Sequence, residues 1–106
     1  IWNLLLVMCT SENEKQLQYA SEKLVKRLQG HVDNDMEFDR KPIQIVGPTD
    51  ATIARVNDVY RKVIYIKTKD YQNLVLLKDR LESYIKDNRD FGQVSVQFDF
   101  NPMSGF

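Results

Sequence analysis

Arg55, Tyr60, Arg61 and Lys62 bring two guanidiniums, an ammonium and a phenol ring into the short span 55–62. Guanidinium and ammonium groups neutralise phosphates, and an interleaved tyrosine can stack on an exposed base. The four residues flank Asn57-Asp58, a two-residue hairpin turn, since Asn and Asp tolerate positive φ better than other non-glycine residues. In the tight register of such a turn Val56 faces Val59, Arg55 faces Tyr60, Ala54 faces Arg61 and Ile53 faces Lys62. Alternation then predicts Ile53, Arg55, Tyr60 and Lys62 on one face of the ribbon. Two uses of that face stay open. It can meet nucleic acid, or it is a solvated hairpin in which Arg55 and Tyr60 pair by cation–π contact. Upstream, Gly47-Pro48 forms a corner that breaks or bends the preceding strand and would set the ribbon's angle.

Other candidate chemistry is sparse. His31 stands alone in a polar stretch and reads as a surface histidine. Cys9 closes an apolar strand ahead of a helix N-terminus, where the dipole could lower its pKa, but a buried bystander thiol is the favoured reading. Asp33, Asp35, Glu37 and Asp39 lack the glycine and ligand order of an EF-hand loop and read as a solvated connection. No phosphate-cradling glycine-rich loop is present. Enzyme activity within these residues therefore ranks last.

The elements that must position the basic cluster are legible in the periodicity. Leu4 to Met8 is a continuous apolar run of strand length, as in the centre of a sheet. Ser11 and Glu14 have the spacing of a capping box, and Leu17, Ala20, Leu24 and Leu28 follow at helical spacing. Gly30 sits where a C′ glycine would end that helix, with a polar connection from His31 to Arg40. Pro42 places the strand Ile43–Val46 near an edge. Val63 to Ile66 is a second apolar run, Asp70 caps a helix with the stripe Leu74, Leu77, Leu81 and Ile85, and Val94, Val96, Phe98 and Phe100 alternate as a half-buried edge strand. On the second helix Tyr71, Val75 and Leu76 lie partly off the stripe, where a partner groove could form.

The order β-α-β-β-α-β, with apolar strands first and third, predicts an α+β, ferredoxin-like split sandwich with both helices on one face and a projecting β-hairpin. The RNA-recognition-motif version is disfavoured, because the third strand has only Tyr65 and no Gly-Phe-aromatic signature.

Composition sets the outer bounds. The 106 residues are one domain's worth, 42% hydrophobic and 28% charged, with zero formal net charge. An acidic partner must then be met by a local patch, not by a bulk field. Arg55, Arg61, Lys62, Lys67 and Lys69 supply one, with only Asp58 among them. The single cysteine excludes an internal disulfide and fits a reducing compartment. No run approaches a membrane span and no signal-peptide pattern opens the chain. It begins with Ile1 instead of Met, which predicts a piece of a longer polypeptide.

Gly47-Pro48, Ala51, Ile53-Ala54-Arg55, Tyr60-Arg61 and the closing Asp99-Phe100-Asn101-Pro102 together resemble the C-terminal domain family of bacterial primosomal protein N′, the PriA replication-restart helicase. That family has an apolar strand ending in Gly-Pro, an Ile-Ala-Arg-like strand, a turn, Tyr-Arg and a closing Asp-x-Asp-Pro. Asn101 departs from the second acid of the closing signature, and Asn57-Asp58 stands where the family often has glycine. The resemblance implies a parent that is a cytoplasmic, ATP-dependent 3′-to-5′ DNA helicase. Its ATP, magnesium and zinc-binding apparatus would lie outside these residues, with no cofactor in this segment. It also implies a non-catalytic domain that helps to bind branched or forked DNA. Its further partners would be single-stranded DNA-binding protein and the parent's other domains. In that reading Arg55, Arg61 and Lys62 contact phosphate and Tyr60 stacks or braces. Two alternatives remain on this fold: a ribosomal-type RNA-binding or protein-docking domain, and a regulatory domain holding a small ligand at a dimer interface.

Overall fold

The computed structural model describes residues 2–34 and 42–102, so the acidic positions Asp35, Glu37 and Asp39 lie outside the described residues. The two continuous apolar runs become the central strands β1 (Asn3–Ser11) and β3 (Val59–Thr68). They are flanked by β2 (Ile43–Val56) and β4 (Ser95–Phe100), giving an antiparallel sheet in the order β2-β3-β1-β4. Helices α1 (Glu14–Asn34) and α2 (Tyr71–Lys86) cover one face, and a single 3₁₀ turn at Arg89–Phe91 leads into β4. This is the predicted split arrangement. Leu5, Val7, Cys9, Ile64 and Ile66 meet the helix stripes Leu17, Ala20, Leu24, Leu28 and Leu74, Leu77, Leu81, all at 1% exposure or less. Each fully buried leucine or isoleucine contributes about 1.5–3 kcal/mol of transfer free energy. Among the described residues the opposite sheet face holds a small buried cluster of Leu6, Val63 and Ala51, with Met8 and Tyr65 against it. No described helix is long and apolar enough to cross a membrane.

Asp70 caps α2 as predicted, accepting from the Gln72 N–H at 3.0 Å. Both ends of α1 differ from expectation. Its cap is Asn13, whose side-chain oxygen accepts from the Gln16 N–H at 3.0 Å while its carbonyl accepts from the Leu17 N–H at 2.9 Å. Ser11 instead remains in β1 opposite Tyr60, its hydroxyl donating to the Gln93 carbonyl at 2.7 Å and accepting from the Asn13 N–H at 3.0 Å. At the other end the helix runs through Gly30 to Asn34. Val32 lies one turn after Leu28 and packs on the core; that burial outweighs the cost of about 1 kcal/mol for glycine inside a helix. His31 therefore lies on the last turn of α1, not in a connection.

Strand β2 reaches its full length by two irregularities. Val46 pairs with Tyr65 and Thr49 with Val63, so Gly47 and Pro48 together oppose Ile64. Gly47 has φ +113°, and a Cβ there would lie 2.6 Å from the Val63 carbonyl oxygen. The position demands glycine for space and for conformation. The peptide bond to Pro48 is cis. Proline, lacking an N–H, fits a bulge on an edge strand. The Gly-Pro step is thus a bulge within a strand that continues beyond it.

The second irregularity overturns part of the predicted register. Val56↔Val59 and Arg55↔Tyr60 are observed, but the next rung is Asp50↔Lys62. Ala54 does not face Arg61, nor Ile53 Lys62; the segment Ala51–Ala54 stands against Arg61 alone. Two anchors cause the slip. Ala51 is buried against Leu6 and Val63, and Asp50 pairs with the Lys62 ammonium at 2.8 Å. With the turn fixed below and these anchors above, the surplus residues bulge outward, leaving Ile53 59% exposed. The hairpin tip projects beyond Tyr60, the last β3 residue paired with β1.

Asn101 closes the sheet. Its side-chain oxygen accepts from the Leu4 N–H at 2.8 Å and its own N–H donates to the Leu4 carbonyl at 2.7 Å. It does so at φ 48°, a conformation asparagine tolerates, directly before Pro102.

The two glycines predict opposite outcomes. Gly47→Ala lowers the urea midpoint by an amount equivalent to about 1–3 kcal/mol at unchanged m-value, since strain and a backbone clash coincide. Gly30→Ala, with nothing within 4 Å of the new methyl, raises stability by about 0.5–1 kcal/mol.

Candidate nucleic-acid interface

The turn forms as predicted, with Asn57 at φ 50° and Asp58 at φ 65°. Those values fit a type I′ turn, which holds Arg55 opposite Tyr60. The Arg55 guanidinium lies 5.2 Å from the centre of the Tyr60 ring and is ion-paired to Asp58. Tyr60 itself is half-buried and packs on the helix-side core. Lys62, two residues along, shares that face, and its side chain is only 20% exposed beside Asp50. Glu14, Lys15 and Gln18 of α1 form the far wall of a cleft of about 540 Å³ into which Arg55, Tyr60 and Lys62 open.

Arg61 also lines this cleft, but its guanidinium turns away from the other three side chains. It lies on the other sheet face, donating to the Ile53 carbonyl at 3.4 Å and to the Met8 sulfur at 3.3 Å. Ile53 leaves the predicted face because of the bulge. The structure thus brings Arg55, Tyr60, Arg61 and Lys62 to one cleft, with the Arg61 guanidinium turned toward the other sheet face.

Arg55 and Lys62 each carry an internal carboxylate, while Lys15, Arg61 and Glu14 also line the cleft. Asp58 was visible in sequence beside Arg55. Asp50 was not, because its pairing with Lys62 depends on the displaced register. An exposed pair such as Arg55–Asp58 holds weakly and is screened by salt, so a phosphate can replace the carboxylate at small cost.

The remaining chemistry lies elsewhere. Burial pushes the Cys9 thiol up to about 12, so the helix dipole does not activate it. His31 has a buried Nε2 with no partner among the described residues. Burial, then the charges of Arg27 and Arg80, lowers its pKa below the usual histidine value. It borders a groove of about 650 Å³ with Arg27, Arg80, Tyr84 and Arg89, where Arg27 stacks on Tyr84 at 5.1 Å. On α2, Leu76 packs on the core and Tyr71 rests against Phe100 at 5.5 Å between ring centres. Sequence reasoning missed Trp2 as a candidate: the Lys69 ammonium lies over its ring at 5.6 Å. The signal was present, since Trp2 keeps step with Leu4 and Leu6 in the alternation that leads into β1.

A four-stranded antiparallel sheet in this order, with both helices on one face, defines a ferredoxin-like α+β domain. The chain belongs to the primosomal protein N C-terminal domain family, whose model matches residues 1–103. No curated protein matches it by sequence. Among solved structures it is similar to the de novo designed protein Foldit4, at 12% identity and TM-score 0.62, covering 98% of this chain and 100% of that one. It is also similar to a dimeric ferredoxin-like protein from an uncultured marine organism, at 10% identity and TM-score 0.54, covering 93% and 92%. A hydantoinase/carbamoylase family amidase from Burkholderia ambifaria matches at 16% identity and TM-score 0.57 over 98% of this chain but 28% of its own. These likenesses are of fold alone.

Two outcomes follow from the site's electrostatics. Asp50→Asn/Asp58→Asn removes both internal carboxylates and keeps a residue at 58 that accepts positive φ; the variant elutes from heparin at higher salt than the parent. Cys9 stays unlabelled by iodoacetamide at pH 8 in the folded chain and reacts once urea unfolds it.

Proposed function

We propose that this domain is a non-catalytic DNA- and partner-binding module of a replication-restart helicase of the primosomal protein N type, acting in the bacterial cytoplasm at stalled or branched forks. The observation that carries the reading is the Arg55–Tyr60 stack beside Lys62 at the mouth of one cleft. A phosphate entering the cleft displaces Asp58 from Arg55 and Asp50 from Lys62, while Tyr60, braced by the core, offers its ring to an unpaired base at a junction. Arg61 lines the same cleft with its guanidinium turned to the other sheet face, and so contributes charge more than position. Gly47-Pro48 maintains the β2 path that brings Asp50 to Lys62. The other domains of the parent helicase and single-stranded DNA-binding protein are the protein partners this reading assigns.

ATP, magnesium and zinc belong to the parent protein in this reading. For the metals, the one cysteine is buried with its thiol held protonated, and among the described residues no group of three His, Cys, Asp or Glu side chains is placed to hold an ion.

The test is fork binding across a salt series. Arg55→Ala/Arg61→Ala/Lys62→Ala lowers affinity for a forked duplex and reduces the slope of log K against log salt by up to about 3, at roughly 0.9 per phosphate contact. An unchanged slope and affinity would remove the assignment. A variant that binds forks normally but loses structured RNA would instead favour the ribosomal-type reading.

A further inference from the structure

The sheet face left uncovered by the helices carries chemistry that the ribbon does not use. Along β3, alternation puts Arg61, Val63, Tyr65 and Lys67 on this face, and the stacking of Lys69 over Trp2 continues the row beyond the strand end. Trp2 is 42% exposed and, with Leu4, Gln44 and Lys67, walls a depression of about 360 Å³. Tyr65 lies between Leu6 on β1 and the exposed Val46 on β2. Among the described residues the face also carries Thr10, Ser95 and Gln97, and one carboxylate, Asp99, opposite Leu6. Lys67 makes no ion pair among the described residues.

We propose that this open face binds a single strand of nucleic acid, with Trp2 and Tyr65 as stacking platforms and Lys67, Lys69 and Arg61 as phosphate contacts. Cations and rings interleave along one row, the pattern by which single strands are held without base-specific readout. Tyr65 and the rung of Trp2 are separated by four residues of β3, about 13 Å at the rise of an extended strand. Lys67 lies between them, where the connecting backbone would pass. An apolar protein surface is the poorer occupant. Among the described residues, rings and methyls here alternate with three cations against a single acid, so such a partner would bury charge with little counter-charge. The inference shares its ligand class with the proposed function and rests on that reading, but its surface is distinct: the ribbon opens toward α1, and this face turns away from both helices.

Trp2 is the only tryptophan in the chain, so its emission reports on this face alone. Titration with oligo(dT) is expected to quench it, whereas heparin of matched charge does not, because only bases stack. Lys67→Ala/Lys69→Ala should reduce the salt slope by about 1.4, at roughly 0.7 per contact for single strands. Tyr65→Leu should weaken oligo(dT) binding about tenfold. The charge-matched control Lys26→Ala/Lys86→Ala, on exposed helix positions, should leave it unchanged. The proposal is overturned by absent quenching, by equal quenching with heparin, or by a control that weakens binding as much as the Lys67/Lys69 pair. Blue-shifted emission that grows with protein concentration would overturn it too, placing a second copy on the face. Fork binding that falls with Arg55→Ala/Lys62→Ala, which leaves Arg61 in place, while Trp2 stays unquenched would sink this site and spare the ribbon. Quenching at Trp2 with fork binding indifferent to that variant would do the reverse.

Discussion

Strand β3 is hydrogen-bonded to β1 along one side and to β2 along the other, from Tyr60 to Thr68. A strand held on both edges cannot twist its side chains to a shared face, and the period of two becomes a sorting rule. Tyr60, Lys62, Ile64 and Ile66 go to the helices; Arg61, Val63, Tyr65 and Lys67 go to the open side. The most basic stretch of the chain is therefore divided between two surfaces. What looks in sequence like one cluster at Tyr60-Arg61-Lys62 is in space two half-clusters on opposite sides of a sheet. Each finds its complement on another element: Arg55 and Asp50 of β2 for the helix side, and Trp2 for the open side.

Where local chemistry acts within a few residues, the sequence was legible. The leucine stripes of α1 and α2, the Asp70 cap, the Asn57-Asp58 turn and the alternation of β4 each depend on neighbours along the chain, and each forms as read. The split sheet order followed from the two continuous apolar runs. Failure came where a distant contact outweighed a local signal. Gly30 has the look of a helix stop, yet Val32 gains enough from the core to carry the helix past it. Ser11 has the look of a cap, yet its pairing with Tyr60 keeps it in the strand and leaves the cap to Asn13. The ribbon register was right for the two rungs set by the turn and wrong beyond them. Nothing in the local pattern shows that Ala51 will be buried against Leu6 and Val63.

That bulge has a further consequence for the edge. β2 is a border strand, and an unbroken border strand is a template for unwanted pairing. Gly47-Pro48 interrupts its ladder once and Ala51–Ala54 interrupts it again, so the regular stretches on either side are short. The same irregularities move Asp50 next to Lys62. Edge protection and charge placement thus share one cause, the surplus of residues on β2 relative to β3.

The two basic surfaces differ in how their charge is held. Arg55 and Lys62 each carry a carboxylate from the same hairpin, which is how a chain of zero net charge keeps a basic ribbon without an uncompensated field. A polyanion meeting that ribbon exchanges one anion for another and releases few condensed salt ions from the protein side. Each contact there also costs an internal ion pair, so the net gain is smaller than a count of cations would give. Lys67 and Lys69 on the open face have no such internal carboxylate among the described residues, and Lys69 is held only by the Trp2 ring. A phosphate meeting them would displace no internal acid, and such a contact would weaken steeply with salt. At low ionic strength the open face therefore gains most, while the ribbon, already neutralised within the chain, changes less. A strand divided by β3's alternation in this way offers one surface tuned by its own acids and another tuned by the surrounding salt.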